Sequence, residues 1–232
     1  MSAGPFAVIL AAAGRSTRFG DRHVKKPFSL LAGRAVWLHS AEKFLAHEDV
    51  KQVIIAVAPD DREYFTQKFG ANLAFLGVEF CEGGKLRSDT VQNALAKLRE
   101  EIQYVAIHDA ARPCVTDRSI AAVFDAARQG GAAILATPVA ETLKRADSAG
   151  RSISETIDRR GLWAAQTPQV FRRSLLEQAY ARRGNAPVTD DAQLVEALGE
   201  TVALVAGSPL NIKITTKDDL RLAEQILKVL PK

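Results

Sequence analysis

Short runs of Val, Ile, Leu and Ala alternate along this chain with longer stretches whose apolar residues recur at three- and four-residue spacing. The runs predict strands at 6–13, 52–58, 77–81, 104–109, 132–139 and 202–206. Several are near-continuously hydrophobic, the pattern of strands with helices on both faces of a mainly parallel sheet. Between them, Trp37, Ala41, Phe44 and Leu45 make one apolar stripe at helical period. Val91, Ala94, Leu95 and Leu98 make a second, and Ile120, Val123, Phe124 and Ala127 a third, for which Thr116 or Asp117 supplies a cap. A last helix opens at Thr216, with Asp219 three residues on as a capping box, and carries Leu220, Ala223, Ile226 and Leu227 on one side. The alternation predicts a doubly wound α/β fold, a mostly parallel sheet with helices on both faces. Ligands of such sheets sit beyond the carboxyl ends of the strands, where Gly14 and Asp109 fall.

Residues 140–161 break the pattern. They are polar, carry charges of both signs, and hold Ser148-Ala149-Gly150 at a turn, with only Ile153 and Ile157 alternating against polar neighbours. This predicts a protruding hairpin arm on a single domain spanning 1–232. An isolated hairpin needs something to pack on, and a second copy of the chain is the simplest candidate, so the arm reads as a dimerisation element.

Composition adds exclusions. At 47% hydrophobic and 25% charged, the 232 residues are those of an ordinary globular protein. No apolar run is long enough to span a bilayer, and the N-terminus lacks a signal-peptide layout, so the expected location is the cytoplasm, with no membrane partner. The net charge of +4 raises the question of nucleic acid. No basic helix or aromatic-basic interleaving accompanies it, and a local basic pocket for an anionic small molecule explains it as well. Cys81 and Cys114 are far apart and suit a reducing compartment, and His23, His39, His47 and His108 lack metal-ligand spacing.

The sharpest chemical signal follows the first strand. Ala11, Ala12, Ala13 and Gly14 run into a segment where Arg15, Arg18, Arg22, Lys25 and Lys26 face one acid, Asp21. Small residues let backbone approach a ligand closely, and backbone N–H groups beside clustered cations suit a polyphosphate. The loop is neither a P-loop nor a dinucleotide fingerprint, because both glycine spacings are wrong. It reads as a nucleoside triphosphate loop of the nucleotidyltransferase type.

Four further places carry chemistry. Glu82-Gly83-Gly84-Lys85-Leu86-Arg87-Ser88-Asp89-Thr90 leaves a strand and opens a helix, offering close approach and free N–H groups, unless it is a plain turn capped by Ser88. His108-Asp109-Ala110-Ala111-Arg112-Pro113 ends a buried strand, and a carboxylate there suits a hard cation such as Mg²⁺. Thr142 and Arg159 lie on the arm. In Asn211-Ile212-Lys213-Ile214-Thr215, alternation turns Lys213 away from the packing of its isoleucine neighbours. No nucleophile elbow is present. A cationic cast with few carboxylates suits phosphoryl or nucleotidyl transfer, where positioning and charge neutralisation supply most of the rate.

In this order, Ala-Ala-Gly-x-x-x-Arg at 12–18, Gly-Gly-x-x-Arg-x-Asp-Thr-Val at 83–91, His-Asp-Ala-Ala-Arg-Pro at 108–113, Asp-Arg-x-Gly-Leu-Trp at 158–163, Gln-Thr-Pro-Gln at 166–169, Thr-Asp-Asp at 189–191 and Asn-Ile-Lys-Ile-Thr at 211–215 span nearly the whole chain. Together they resemble the 2-C-methyl-D-erythritol 4-phosphate cytidylyltransferase family. The resemblance implies transfer of a cytidylyl group from CTP to a polyol phosphate by a homodimer using Mg²⁺. It implies that Arg18 and a lysine stabilise the triphosphate. Ala12, Ala13, Gly14 and Arg15 then line the nucleotide, Gly84, Lys85 and Thr90 sit by the cytosine, and Asp109 holds the metal. Arg112, Thr142, Arg159, Thr189 and Lys213 would hold methylerythritol phosphate, with Thr142 and Arg159 reaching in from a second subunit.

Two positions depart from the family pattern. Lys25-Lys26-Pro27 stands where Pro-Lys-Gln is frequent, leaving two lysines for one catalytic role; spacing to Gly33 favours Lys26, which Pro27 should hold extended. Lys85 replaces an acidic or small polar residue, which leaves a backbone contact as its part in binding. The competing readings are a cytidylyltransferase for another polyol phosphate such as ribitol 5-phosphate, an inactive nucleotide-binding regulator, and a nucleic-acid-binding module.

Overall fold

The structure is a computed structural model that describes residues 4–14, 19, 25–184 and 188–230. Its centre is a seven-stranded sheet. Strands β1 (Phe6–Ala11), β4 (Val50–Val57) and β5 (Glu79–Glu82) form one wing, and β6 (Tyr104–Asp109), β10 (Trp163–Arg172), β7 (Ala132–Pro138) and β11 (Ala203–Ala206) continue it on the other side of β1. A small hairpin, β2 (Leu30–Leu31) with β3 (Arg34–Ala35), precedes the first helix. The neighbours β1, β4, β5 and β6 are parallel, as are β7 and β11. The chain runs outward from β1 to β5, then returns to place β6 on the opposite side of β1. That reversal opens a crevice at the carboxyl ends of β1 and β6.

Helices cover both faces. Phe6, Val8 and Leu10 of β1 pack with α1 (Val36–Leu45), α2 (Arg62–Leu76) and α4 (Asp117–Gly130). Ala7 and Ile9 point the other way, toward α3 (Arg87–Leu95), α5 (Arg173–Ala181) and α6 (Ala192–Glu196). Both faces of the strand are dry, which is why its sequence is continuously apolar rather than alternating. Each large side chain fully buried in this way contributes about 1.5–3 kcal/mol. The closing helix α7 (Lys217–Val229) buries Ala223 and Ile226 against Leu31, Val36 and Ile214. Thr216 caps it as expected, accepting from the Asp219 N–H at 3.1 Å while the Asp219 carboxylate accepts from the Thr216 N–H at 2.8 Å. Thr116 caps α4 through the Ser119 N–H at 3.2 Å.

The structure corrects several boundaries. The first strand ends at Ala11, leaving Ala12–Gly14 as irregular backbone at the crevice. Gly77 belongs to the preceding helix, as its left-handed cap with φ of 66°. The strand β10 is missing from the hydrophobic pattern. It runs antiparallel to both β6 and β7, and its register breaks between Ala165 and Gln169. Pro168 and the polar Gln166, Thr167 and Gln169 occupy that break, so the segment lacks a strand signature.

The arm is a two-stranded antiparallel hairpin, β8 (Leu143–Ala146) with β9 (Ile153–Ile157). It closes near Gly150, which has φ of 67°, and Lys144 donates across it to the Thr156 hydroxyl at 2.7 Å. It forms a sheet of its own, joined to β7 by residues 139–142 and to β10 by residues 158–162. Ile153, Leu162 and Trp163 are exposed on and beside it. Among the described residues, no helix is long and apolar enough to cross a membrane.

Candidate active site

The crevice follows from register. Ala11 at the end of β1 pairs with Asp109 at the end of β6, so the small-residue turn and the carboxylate emerge side by side. A cavity of about 400 Å³ opens there, with Ala12, Ala13 and Gly14 on one wall and Gly84, Lys85 and Thr90 on the other. Lys26, Asp109 and Lys213 also line it.

The far wall is built by close approach. The Thr90 hydroxyl accepts from the Gly84 N–H at 3.1 Å and donates to the Leu86 carbonyl at 3.0 Å, closing the turn into α3. The Asp89 carboxylate, rather than Ser88, accepts from the Leu86 N–H at 3.1 Å. A methyl group at Gly84 would lie 2.3 Å from Asp89 Cβ, and one at Gly83 would lie 2.7 Å from Ala13 Cβ. Overpacking of this kind costs about 1–3 kcal/mol. Gly84→Ala is therefore expected to lower Tm by about 2–4 °C for each kcal/mol lost, measured by thermal unfolding; an unchanged Tm would show that this wall yields freely.

Asp109 is the electrostatic centre. Lys213 Nζ lies 2.9 Å from its Oδ2 and Arg112 Nε lies 3.2 Å from the same oxygen. Burial pushes the Asp109 carboxyl up, but Lys213, Arg87 and Arg112 outweigh it and hold the group well below the usual carboxylate range. The backbone beneath is fixed by His108. The Thr167 hydroxyl accepts from the Asp109 N–H at 3.0 Å and lies 3.1 Å from His108 Nδ1, while His108 Nε2 lies 3.1 Å from the Arg112 carbonyl. Burial drives the His108 pKa down to about 4, so the ring is neutral near pH 7. A proton on Nε2 satisfies both contacts, since Thr167 can then donate to Nδ1.

A second cavity of about 250 Å³ adjoins the first. Arg112, Gln166, Thr167, Gln169, Thr189 and Asp190 line it, and Arg87, Asp109 and Lys213 line both cavities. Arg112 is braced by the Asn211 carbonyl at 2.8 Å, and the 211–214 segment is tied down by the Ile214 N–H to the Ala111 carbonyl at 2.9 Å. That tether turns Ile214 inward and leaves Lys213 on the cavity side.

Most residues singled out in the sequence meet here, though not all. Arg15 and Arg18 lie outside the described residues. Lys26 opens a 3-10 turn, Lys26–Phe28, instead of lying extended; the extended residue is Lys25, with φ −75° and ψ 150°. The turn wins because the Phe28 and Ser29 N–H groups both reach the Lys25 carbonyl, at 2.9 and 3.2 Å. The two lysines diverge: Lys26 lines the cavity, whereas Lys25 Nζ pairs with Asp61 at 2.6 Å. Thr142 and Arg159 sit exposed on the arm, where the Arg159 guanidinium donates to the Ala140 carbonyl, and neither lines either of these two cavities. Arg87, Gln169 and Asp191 stand in the sequence motifs without an assigned role, and their part in the site emerges from the fold.

Among the described residues, no group of three or more His, Cys, Asp or Glu side chains could hold a metal by itself. One strand-end carboxylate beside a phosphate-sized cavity fits a different mode, in which Mg²⁺ takes one protein carboxylate and the remaining oxygens from phosphates and water.

Residues 6–229 match the family model described as 2-C-methyl-D-erythritol 4-phosphate cytidylyltransferase. A protein of that name from Rhodopirellula baltica is 42% identical over 236 residues, covering 97% of this chain and 96% of its own length. A crystal structure of 4-diphosphocytidyl-2C-methyl-D-erythritol synthase superposes with a TM-score of 0.82 at 35% identity, covering 97% of this chain and 99% of that one. The cytidylyltransferase from Thermus thermophilus superposes at 0.78 with 34% identity, covering 96% and 98%.

Proposed function

The chain belongs to the 2-C-methyl-D-erythritol 4-phosphate cytidylyltransferase family, and from that premise we propose that the two cavities meeting at Asp109 hold its two substrates. The chain is a CTP-dependent cytidylyltransferase of isoprenoid precursor biosynthesis. It joins CTP to 2-C-methyl-D-erythritol 4-phosphate, giving 4-diphosphocytidyl-2-C-methyl-D-erythritol and pyrophosphate. Transfer to ribitol 5-phosphate is not favoured by these relationships. The observation that supports the residue assignment is the sharing of Arg87, Asp109 and Lys213 by both cavities, so that phosphate-bearing ligands, one in each, would meet at one point.

The acceptor's phosphate is already an anion, so no general base is needed. Its oxygen attacks the α-phosphorus of CTP in line; the new P–O bond forms as the bond to the β-phosphate oxygen breaks, and pyrophosphate leaves with the electron pair. No covalent enzyme intermediate arises. The obstacle is repulsion between two anions, and preorganised cations relieve it. In our reading Ala12, Ala13 and Gly14 bring backbone up to the nucleotide, with Gly84, Lys85 and Thr90 on the base side. Lys26, with Arg15 and Arg18 earlier in the sequence, meets charge on the triphosphate. Arg112, Lys213 and Thr189 hold the acceptor phosphate. Asp109 would hold Mg²⁺, which when bound adds positive charge beside the phosphates. A cytoplasmic setting accords with two buried, unpaired thiols, Cys81 and Cys114.

Pyrophosphate release across CTP, UTP, ATP and GTP, each with methylerythritol phosphate and ribitol 5-phosphate, tests the reading. The expected optimum is CTP with methylerythritol phosphate; a higher kcat/KM with ribitol 5-phosphate overturns the acceptor assignment.

We also propose a homodimer in which Thr142 and Arg159 of one copy complete the acceptor site of the other. The exposed arm, and the absence of both residues from the lining of the two cavities that meet at Asp109, support it. Mixing Arg159→Ala and Lys26→Ala protomers should then restore roughly one quarter of wild-type activity under random pairing, since each hybrid dimer keeps one intact site. Absence of recovery after verified subunit exchange would rule out shared sites.

A further inference from the structure

Two ion pairs outside the mechanism above join the start of α3 to the region of α5 and α6. Arg87 Nη1 lies 2.7 Å from Asp191 Oδ2, and Arg183 Nη2 lies 2.6 Å from Asp89 Oδ1. In the first pair the carboxylate is sealed from water, the Asp191 side chain being only 1% exposed, while the Arg87 side chain that reaches it is 29% exposed on the cavity side. Asp191 is gripped from other directions too. The Tyr180 hydroxyl donates to its Oδ1 at 2.5 Å, and the Asp191 and Ala192 N–H groups donate to Gln169 Oε1 at 3.1 and 3.2 Å. Gln169 Nε2 completes the cluster by donating to Asp190 Oδ2 at 2.8 Å. The turn carrying Thr189 and Asp190, which form one lip of the second cavity, is therefore fastened to β10 on one side and to Arg87 on the other.

Arg87 is also the first residue of α3, directly after the glycine turn that walls the first cavity, and it lines both cavities. A sealed carboxylate needs its cation, because an unpaired buried charge is strongly destabilising. Displacement of the glycine turn must then either carry Asp191 along or break the pair. We propose that the Arg87–Asp191 pair is a strut that makes the acceptor lip at Thr189–Asp190 depend on the nucleotide wall at 83–89, so that CTP and the acceptor phosphate bind cooperatively. Arg87 and Asp191 act here as positioning residues. The proposal rests on the cytidylyltransferase reading and adds a coupling between its two substrates. Coupling of this kind is reciprocal, so each ligand should tighten the other by the same factor.

The test is initial-rate kinetics with CTP and methylerythritol phosphate both varied, on the wild-type chain and on Arg87→Lys, Asp191→Asn and Tyr180→Phe. Arg87→Lys keeps the charge but loses the planar fork. Tyr180→Phe removes only one hydrogen bond to Asp191 and guards against a variant that fails to fold. In the wild type, the acceptor KM should fall as CTP rises. In Arg87→Lys and Asp191→Asn that dependence should vanish, so that the KM of each substrate at saturating partner rises by the same factor, about tenfold, while its value at low partner concentration stays within about twofold of wild type. Tyr180→Phe should weaken the dependence by about two- to threefold. A CTP dependence of the acceptor KM that persists at wild-type strength in Arg87→Lys and Asp191→Asn, whether or not Tm falls, would reduce the pair to general scaffolding and overturn the proposal. A wild-type chain without CTP- and acceptor-dependent pyrophosphate release would instead overturn the functional reading beneath it.

Discussion

Lys26→Ala should lower kcat on the order of 100- to 1,000-fold, the usual consequence of removing one preorganised group that meets charge in the transition state, about 2.7–4 kcal/mol. Lys25→Ala should leave kcat within a few-fold of wild type. The adjacent side chains have the same chemistry, so the difference arises from geometry alone. Lys26 opens the 3-10 turn and lines the first cavity, where we place CTP. Lys25 is committed to Asp61, 2.6 Å away at the foot of α2. A partly exposed pair of that kind contributes at most about 1 kcal/mol. Lys25→Ala should therefore appear as a small drop in Tm and a modest rise in the CTP KM. Steady-state kinetics with both substrates varied separates the outcomes. Charge met only in the transition state lowers kcat and kcat/KM together, whereas uniform binding moves KM. A crippled Lys25→Ala enzyme would reverse the assignment, and two mild variants would remove this loop from transition-state stabilisation.

Asp109→Asn should be nearly as severe, with kcat/KM falling on the order of 100-fold and the Mg²⁺ concentration for half-maximal rate rising. The change keeps shape and removes charge. Lys213 and Arg112 then lose the carboxylate that holds them at 2.9 and 3.2 Å. A Mg²⁺ titration of the variant is the check, and full activity at limiting Mg²⁺ would dismiss the metal role. The pH dependence has a definite sign. The folded Asp109 carboxyl lies below its ordinary value, so the stability it contributes is fully present above the unfolded carboxylate range near about pH 4. It is lost only as pH falls toward the depressed folded value. Loss of activity in the mildly acidic range must then come from other groups, substrate phosphates included.

The parts of this architecture that depend on local pattern were legible in the sequence. β1 and β6 are buried on both faces, so continuous apolar runs marked them, and the residues at their ends marked the crevice. The caps of α4 and α7 could be read because Thr116 and Thr216 act on residues three positions away. β10 was illegible because its polar side chains serve the second cavity and Pro168 interrupts its pairing with β7. The lysine pair showed the limit of local reasoning. Pro27 pointed to an extended Lys26, but hydrogen bonds from Phe28 and Ser29 to Lys25 produced a turn. The Arg87–Asp191 pair had no sequence signature, since it joins distant segments through tertiary packing.

The hairpin β8–β9 lies between β7 and β10, joined to them only by residues 139–142 and 158–162, and β10 itself carries Gln166, Thr167 and Gln169 of the second cavity. If the arm seats on a second copy, self-association and acceptor binding become linked equilibria, and mass action applies to both. Dilution would then behave as an inhibitor. Specific activity would decline below the dimer dissociation constant, and saturating acceptor would draw the protomers back together. The acceptor's KM would cease to be a constant of the chain and become a function of how much of the protein is present.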